Sequence, residues 1–362
     1  MKTYLRNFSA AAAACMVSIL PAAAQGTGTQ PLLPFPNSAV STVPANGDVN
    51  PYGVAFVPAN VLSNGVLQPR DILVSNFNNA QNLQGTGSTV VRITPKGVQS
   101  LFFQGGTGLG LTAALGVVRL GLVFVGNLPT IDGNSNTARA GSILVLDRFG
   151  RLLGTFSDPN LIDGPWGMTV VDLGNEAILF FTNVLNGTVT RLVLELSDDG
   201  ENAAVRSAIT IGSGFQHRPD PAALELGPSG VAFDAAHDIL YVANSADNTI
   251  YAIPSAATRT TSAGTGSVVY DDLVHLHGPL DLAFAPNGDL VVANSDGFNA
   301  DPNQPSELVE FTIQGKFVAQ FSVDPNNGGA FGLAIQTLGN VAVRVAAVDD
   351  NTNQLTIWTF PR

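Results

Sequence analysis

Three histidines and a recurring asparagine are the side chains of this 362-residue sequence most able to do chemistry. His217, His275 and His277 would suit zinc or another transition metal if they converged, because a zinc site takes at least three protein ligands. His275 and His277 stand at i and i+2 and meet only if their loop is shaped for it. A loop histidine otherwise stays solvated or bonds backbone. Asparagine recurs at Asn76, Asn127, Asn183, Asn244 and Asn294, with Asp349 in the sixth place. Each can cap a turn by bonding its own backbone, or the six can form a polar ring for a ligand, with Asp349 adding charge at one point. Other motifs are weaker. The glycine-rich stretch Gly105 to Gly110 precedes no helix and so lacks the terminus that would hold phosphate. Asp132, Asn134 and Asn136 start like a calcium loop, but Thr137 stands where glycine is needed and Ile143 where the final glutamate belongs. Gly227-Pro228-Ser229-Gly230 is not a nucleophile elbow.

What positions these residues is a repeated unit, clearest at Gly227 to Ile253. Gly230–Phe233 and Ile239–Ala243 are apolar runs separated by the turn Asp234–Asp238. Thr249–Ile253 alternates as a third strand after a second turn, and Ser267–Tyr270 supplies a fourth. Four antiparallel strands in sequence order, a to d, make one blade of a β-propeller. The a strands begin near Pro51, Leu115, Pro165, Gly230, Pro279 and Phe331, which gives six copies. The sixth stops after its c strand. The unassigned run Ser38 to Val43 can supply the missing d strand against Gln354 to Phe360, closing the ring and covering an exposed edge. The expected fold is therefore all-β: a six-bladed propeller of four-stranded antiparallel blades over residues 38–362, the last completed by an N-terminal strand.

In such a ring the d-to-a connections and b-to-c loops share one rim. The b-to-c loops are long in blades one (Asn76 to Ser88), two (Asn127 to Gly141) and five (Asn294 to Ser306), which marks this rim as the candidate binding face. His217, His275 and His277 fall in its d-to-a connections, whereas His237 lies in an a-to-b turn on the opposite face.

Residues 1–24 read as a secretory signal peptide: Lys2 and Arg6, an apolar run from Ala10 to Leu20, then Ala22-Ala23-Ala24. The apolar run is too short to span a bilayer, and no later stretch is long enough. Cleavage would remove the single cysteine, Cys15, and Ala12-Ala13-Ala14 is a poor lipobox for its acylation. A secreted or periplasmic protein follows, with residues 25–37 as an extended lead-in. Losing Lys2 and Arg6 takes the net charge from −12 to −14, and no basic cluster is present to hold nucleic acid.

The elements Gly227-Pro228-Ser229-Gly230-Val231-Ala232-Phe233 with Ile239 to Ile250, and Gly278 to Gly297, resemble the repeats of the NHL family, related to the gluconolactonase and strictosidine-synthase-like propellers. The resemblance runs over residues 38–360 and is weakest in blades two and six. It implies a ligand- or protein-binding module that requires no cofactor or, alternatively, a metal-dependent hydrolase or lyase. Gluconolactonase-like relatives hold a divalent cation at the central mouth, and the matching neighbourhoods here contain Asp163, His277 and Asp281, with His275 beside them. Asp281 replaces the repeat glycine, where an Asp can also bond neighbouring amides. Amidating-lyase and streptogramin-lyase relatives place a histidine at the x of Pro-x-Gly. This sequence has Tyr52, Thr112, Trp166, Ser229, Leu280 and Phe331 there.

Overall fold

In the computed structural model, residues 38–361 are described apart from 296 and 302. Residues 1–37, which hold the expected signal peptide and lead-in, lie outside them. After β1 (Ser38–Ser41), blade one is β2 (Val49–Phe56), β3 (Ile72–Asn78), β4 (Thr89–Ile93) and β5 (Gln99–Gln104). Blade two is β6 (Leu111–Val117), β7 (Val123–Asn127), β8 (Ser142–Leu146) and β9 (Leu152–Phe156). Blade three is β10 (Pro165–Asp172), β11 (Glu176–Asn183), β12 (Thr188–Leu196) and β13 (Ala203–Ser213). A separate hairpin, β14 (Arg218–Asp220) with β15 (Leu224–Leu226), precedes blade four, which is β16 (Pro228–Asp234), β17 (Ile239–Asn244), β18 (Thr249–Pro254) and β19 (Ser267–Tyr270). Blade five is β20 (Pro279–Phe284), β21 (Leu290–Asn294), β22 (Glu307–Phe311) and β23 (Phe317–Ser322). Blade six is β24 (Ala330–Leu338), β25 (Ala342–Asp349) and β26 (Gln354–Pro361), with β1 as its fourth strand.

The chain is thus a six-bladed β-propeller closed as the sequence predicts. Ser38 pairs with Ile357 and Ser41 with Gln354. The closure continues past β1: Thr42 donates its N–H and hydroxyl to the Asn353 carbonyl, and the Asn50 N–H reaches the Asn353 side-chain oxygen at 2.7 Å.

Each inter-blade boundary has its own apolar layer, because the b strands are buried on both faces. In β7, Val123 and Val125 pack toward blade one and Phe124 toward blade three. In β17, Leu240 and Val242 pack toward blade three and Tyr241 and Ala243 toward blade five. This two-sided burial is why the b strands read as continuous apolar runs rather than as alternation. The outer β9 is largely exposed.

The repeated Pro-x-Gly is a β-bulge. In every blade the register between strands a and b shifts at that point, as between Pro51 and Val54 or Pro228 and Val231. Its glycines let neighbouring a strands touch. A Cβ on Gly332 would come within 1.7 Å of the Tyr52 carbonyl oxygen, and one on Gly230 within 2.4 Å of the Asp281 Cα. Hydroxyls stitch the same ring, Ser75 to the Thr112 carbonyl and Thr182 to the Ser229 carbonyl, each at 2.7 Å.

Candidate functional site

The bulges gather side chains from six distant copies near the axis. Tyr52 packs on Phe77 (centroids 4.9 Å apart), Phe331 (4.8 Å) and, edge-on, Trp166 (5.5 Å). Leu128, Val184 and Leu224 complete this plug. Of the x positions that hold a histidine in the lyases, Tyr52, Trp166 and Phe331 therefore help build an apolar barrier, while Thr112 and Ser229 give their hydroxyls to the Pro165 and Pro279 carbonyls.

Below the plug, the six a strands surround a channel cavity of about 370 Å³ lined by residues such as Phe56, Val117, Val170, Phe233 and Ile335. Asp281 is the one carboxylate among the described residues of its wall. The Asp281 oxygens accept the N–H groups of Leu282 and, across the blade boundary, Leu333, both at 2.8 Å. Burial outweighs these two bonds and pushes the carboxyl up to about 7.

Above the plug, on the rim of the b-to-c loops and d-to-a connections, lies a second cavity of about 160 Å³. Blade one contributes Asn50, Tyr52, Asn78, Asn82 and Gln84; blade five contributes Leu280, Ser295, Gly297 and Phe298; blade six contributes Phe331 and Asp350; and the β14–β15 turn adds Ala222 and Ala223. Two of the three long loops, those of blades one and five, thus meet here. The third, in blade two, faces the hairpin instead, Gly133 to Asn136 lying opposite Pro219 to Pro221.

The hairpin is held over the mouth by Gln84, which donates to the Ala222 carbonyl at 3.0 Å, and by Arg218, which donates to the Ala246 carbonyl at 3.1 Å. Leu224 anchors it with φ of +62°, a left-handed conformation that costs a leucine about 1–2 kcal/mol. Burying its side chain to 1% exposure offsets this, at about 1.5–3 kcal/mol for a leucine.

The electrostatics of the upper cavity are one-sided. The Asp350 carboxylate has no hydrogen-bond or ion-pair partner among the described residues, and burial, then the charge of Asp349, pushes it up to about 7. Burial and the Asp350 charge in turn raise the Tyr52 phenol above its ordinary value. Asn50 and Asn78 are buried, each with a carbonyl oxygen that finds no donor.

The recurring polar ring sits elsewhere. Asn76 donates to the Thr42 carbonyl and the Thr89 hydroxyl. Asn127 accepts from the Gly110 N–H at 2.8 Å and Asn183 from the Asp163 N–H at 2.9 Å. Asn244 accepts from the Ala246 N–H, two residues on, at 3.0 Å. Asn294 donates to the His275 carbonyl and to Glu307. Asp349 accepts from the Thr352 hydroxyl. Only some of these are turns closed on their own backbone; Asn76, Asn127, Asn183 and Asn294 tie the end of strand b to the segment that leads into their blade. None of the six lines the upper cavity.

Nor do Asp163, His275, His277 and Asp281 form one ligand set. His275 bonds Asp272 at 2.5 Å and stacks on Phe317, while His277 faces the Asn299 and Val274 carbonyls. Asp163, its carboxyl raised by burial, is hydrogen-bonded by Asn186 and feels the charge of His217, and Asp281 lies in the channel below the plug. Among the described residues no three His, Cys, Asp or Glu side chains converge as a metal site. A divalent cation held by these residues does not fit the geometry.

Sequence reasoning missed Asn50, Asn78, Phe298 and Asp350. The one available signal was the length of the segment from Ser213 to Pro228, whose Pro219 and Pro221 mark an insertion with its own turn.

No protein-family model matches the sequence, and neither does any curated protein. Solved structures do match in fold. The α-L-arabinanase of Penicillium chrysogenum, complexed with arabinobiose, aligns at a TM-score of 0.54 with 11% identity over 91% of this chain and 99% of its own. Regucalcin, a calcium-binding protein from Agrobacterium tumefaciens, aligns at 0.50 with 12% identity over 89% and 95%. A luciferin-regenerating enzyme aligns at 0.50 with 11% identity over 89% and 94%. At such identities the likeness is one of architecture, and the class it defines is the six-bladed propeller. Among the described residues no helix is long and apolar enough to cross a membrane.

Proposed function

We propose that this protein is an exported binding module that holds a small molecule in the cavity at the mouth of its central channel. One observation carries the reading: the Asp350 carboxylate stands in the wall of a partly open cavity without a hydrogen-bonding partner among the described residues. A charged group left unpaired at such cost is a common mark of a functional site. The surrounding Tyr52, Leu280, Phe298 and Phe331 offer an apolar body to a ligand, while Asp350 orients it. The hairpin turn at Ala222 and Ala223 narrows the entrance.

The alternative of a metal-dependent hydrolase or lyase draws on the named activities of some fold neighbours, but the residues that would carry it are dispersed through the ring. A fragment screen by ligand-observed NMR tests the binding reading. Fragments that bind the protein should be lost when Ala223→Phe fills the cavity from the hairpin. A set of binders unaffected by that substitution would place the ligand elsewhere and defeat the proposal.

A further inference from the structure

We propose that the mouth cavity selects a small organic cation, a primary ammonium on an aromatic or short aliphatic body. This rests on the reading of the cavity as a ligand site and adds the chemical class. Its described wall residues include no lysine, arginine or histidine. What it offers instead is a carboxylate. Asp350 brings it without a donor, and the side-chain oxygens of the wall residues Asn50 (6% exposed) and Asn78 (2% exposed), sealed and without a hydrogen bond, add negative potential nearby. An unpaired carboxylate rewards a ligand that arrives with a charged N–H donor.

Other ligand classes fit less well. An anion would meet a carboxylate and no described cation. A neutral alcohol would satisfy an acceptor but leave the Asp350 charge uncompensated. A calcium ion takes six to eight oxygens, several of them from carboxylates, whereas the described wall has one carboxylate set among Tyr52, Phe298 and Phe331. Those rings suit the carbon body of an organic cation and favour positive charge near their faces. At about 160 Å³ the cavity matches, in size, an engineered protein cavity of about 150 Å³ that holds benzene. The raised carboxyl of Asp350 agrees with a negative charge that lacks its counterpart. The net charge of −12 also favours the approach of cations over anions.

Calorimetric titration of the purified protein with benzylammonium, benzyl alcohol, benzoate and calcium chloride decides the class. Benzylammonium should bind at least about tenfold more tightly than benzyl alcohol, as expected for a charge-assisted hydrogen bond. Asp350→Asn should abolish that preference without weakening the alcohol, and Asp350→Glu should retain part of it. Near-ultraviolet circular dichroism of the variants checks their folding. Equal binding of alcohol and ammonium, both lost in Ala223→Phe, would overturn the class while leaving the site in place. Calcium binding that displaces the amine, or calcium binding alone, would also overturn it. Benzylammonium binding unchanged in Ala223→Phe would put the cation outside the cavity and defeat both readings, as would the failure of every probe to bind.

Discussion

Replacing Asp281 by asparagine should change how the stability of the ring depends on pH. The carboxyl has an ordinary value of 3.8 and is raised to about 7 by burial in the channel. The native state therefore holds a proton that the unfolded chain has released between about pH 4 and 7. Stability from this group is fully present below pH 4 and is lost as pH rises through 7. A shift of about 3 units corresponds to roughly 4 kcal/mol at 1.36 kcal/mol per unit. Asp281 faces the channel and is only partly covered, so that figure is an upper bound. Asparagine carries no charge at any pH, but the Leu282 and Leu333 amides bond different oxygens of Asp281, and in asparagine one of these becomes an NH2 group that cannot accept. Leaving one amide without an acceptor costs about 1–3 kcal/mol. At pH 5 the variant should therefore be less stable than the parent, and by pH 8 the gap should close or reverse. Urea unfolding followed through the buried Trp166 and Trp358 at both pH values measures the difference. Comparing the two proteins cancels the same-signed contributions of Glu225 and Asp350, which are also raised to about 7. A stability gap that is the same at pH 5 and pH 8 would show that Asp281 is ionised throughout and refute the argument.

Two further outcomes are expected. A chain beginning at Asn50 loses β1 and the Thr42 bonds to Asn353, leaving the edge of β26 open. At about 1 kcal/mol per lost hydrogen bond, its melting temperature should fall by about 5 °C or more relative to a chain beginning at Gly26. Identical melting would mean that β1 contributes little to closure. Exported protein should have the mass of residues 25–362 and no titratable thiol, since Cys15 would leave with the signal peptide. Mass spectrometry of the cell-free fraction measures this, and a lipid on Cys15 would contradict it.

Much of the ring was legible in the sequence because its determinants are local. Val123-Phe124-Val125 and Leu240-Tyr241-Val242-Ala243 declare buried strands by composition, and the turns between them declare their direction. Counting strands then left Ser38 to Val43 as the piece that completes blade six. The rim was legible for the same reason, since strand order alone puts the b-to-c and d-to-a segments on one side. The recurring asparagines were conspicuous because the repeat requires the same junction between strand b and the entry to each blade. Repetition of that kind reports architecture at least as readily as chemistry.

What the tertiary structure alone decided is which side chains share a space. Pro-x-Gly is visible as a motif, but only the paired strands show it as a bulge that collects Tyr52, Trp166, Leu280 and Phe331 near one axis. Asp281 looks like a rim ligand in the sequence; the closed ring puts it below the plug, between the amides of its own blade and the next. Asn50, Asn78, Phe298 and Asp350 come from three blades and from opposite ends of the chain. A cavity is the volume that all six blades fail to fill, and burial of a charge depends on everything packed around it. Both are sums over distant residues, so no local pattern encodes them.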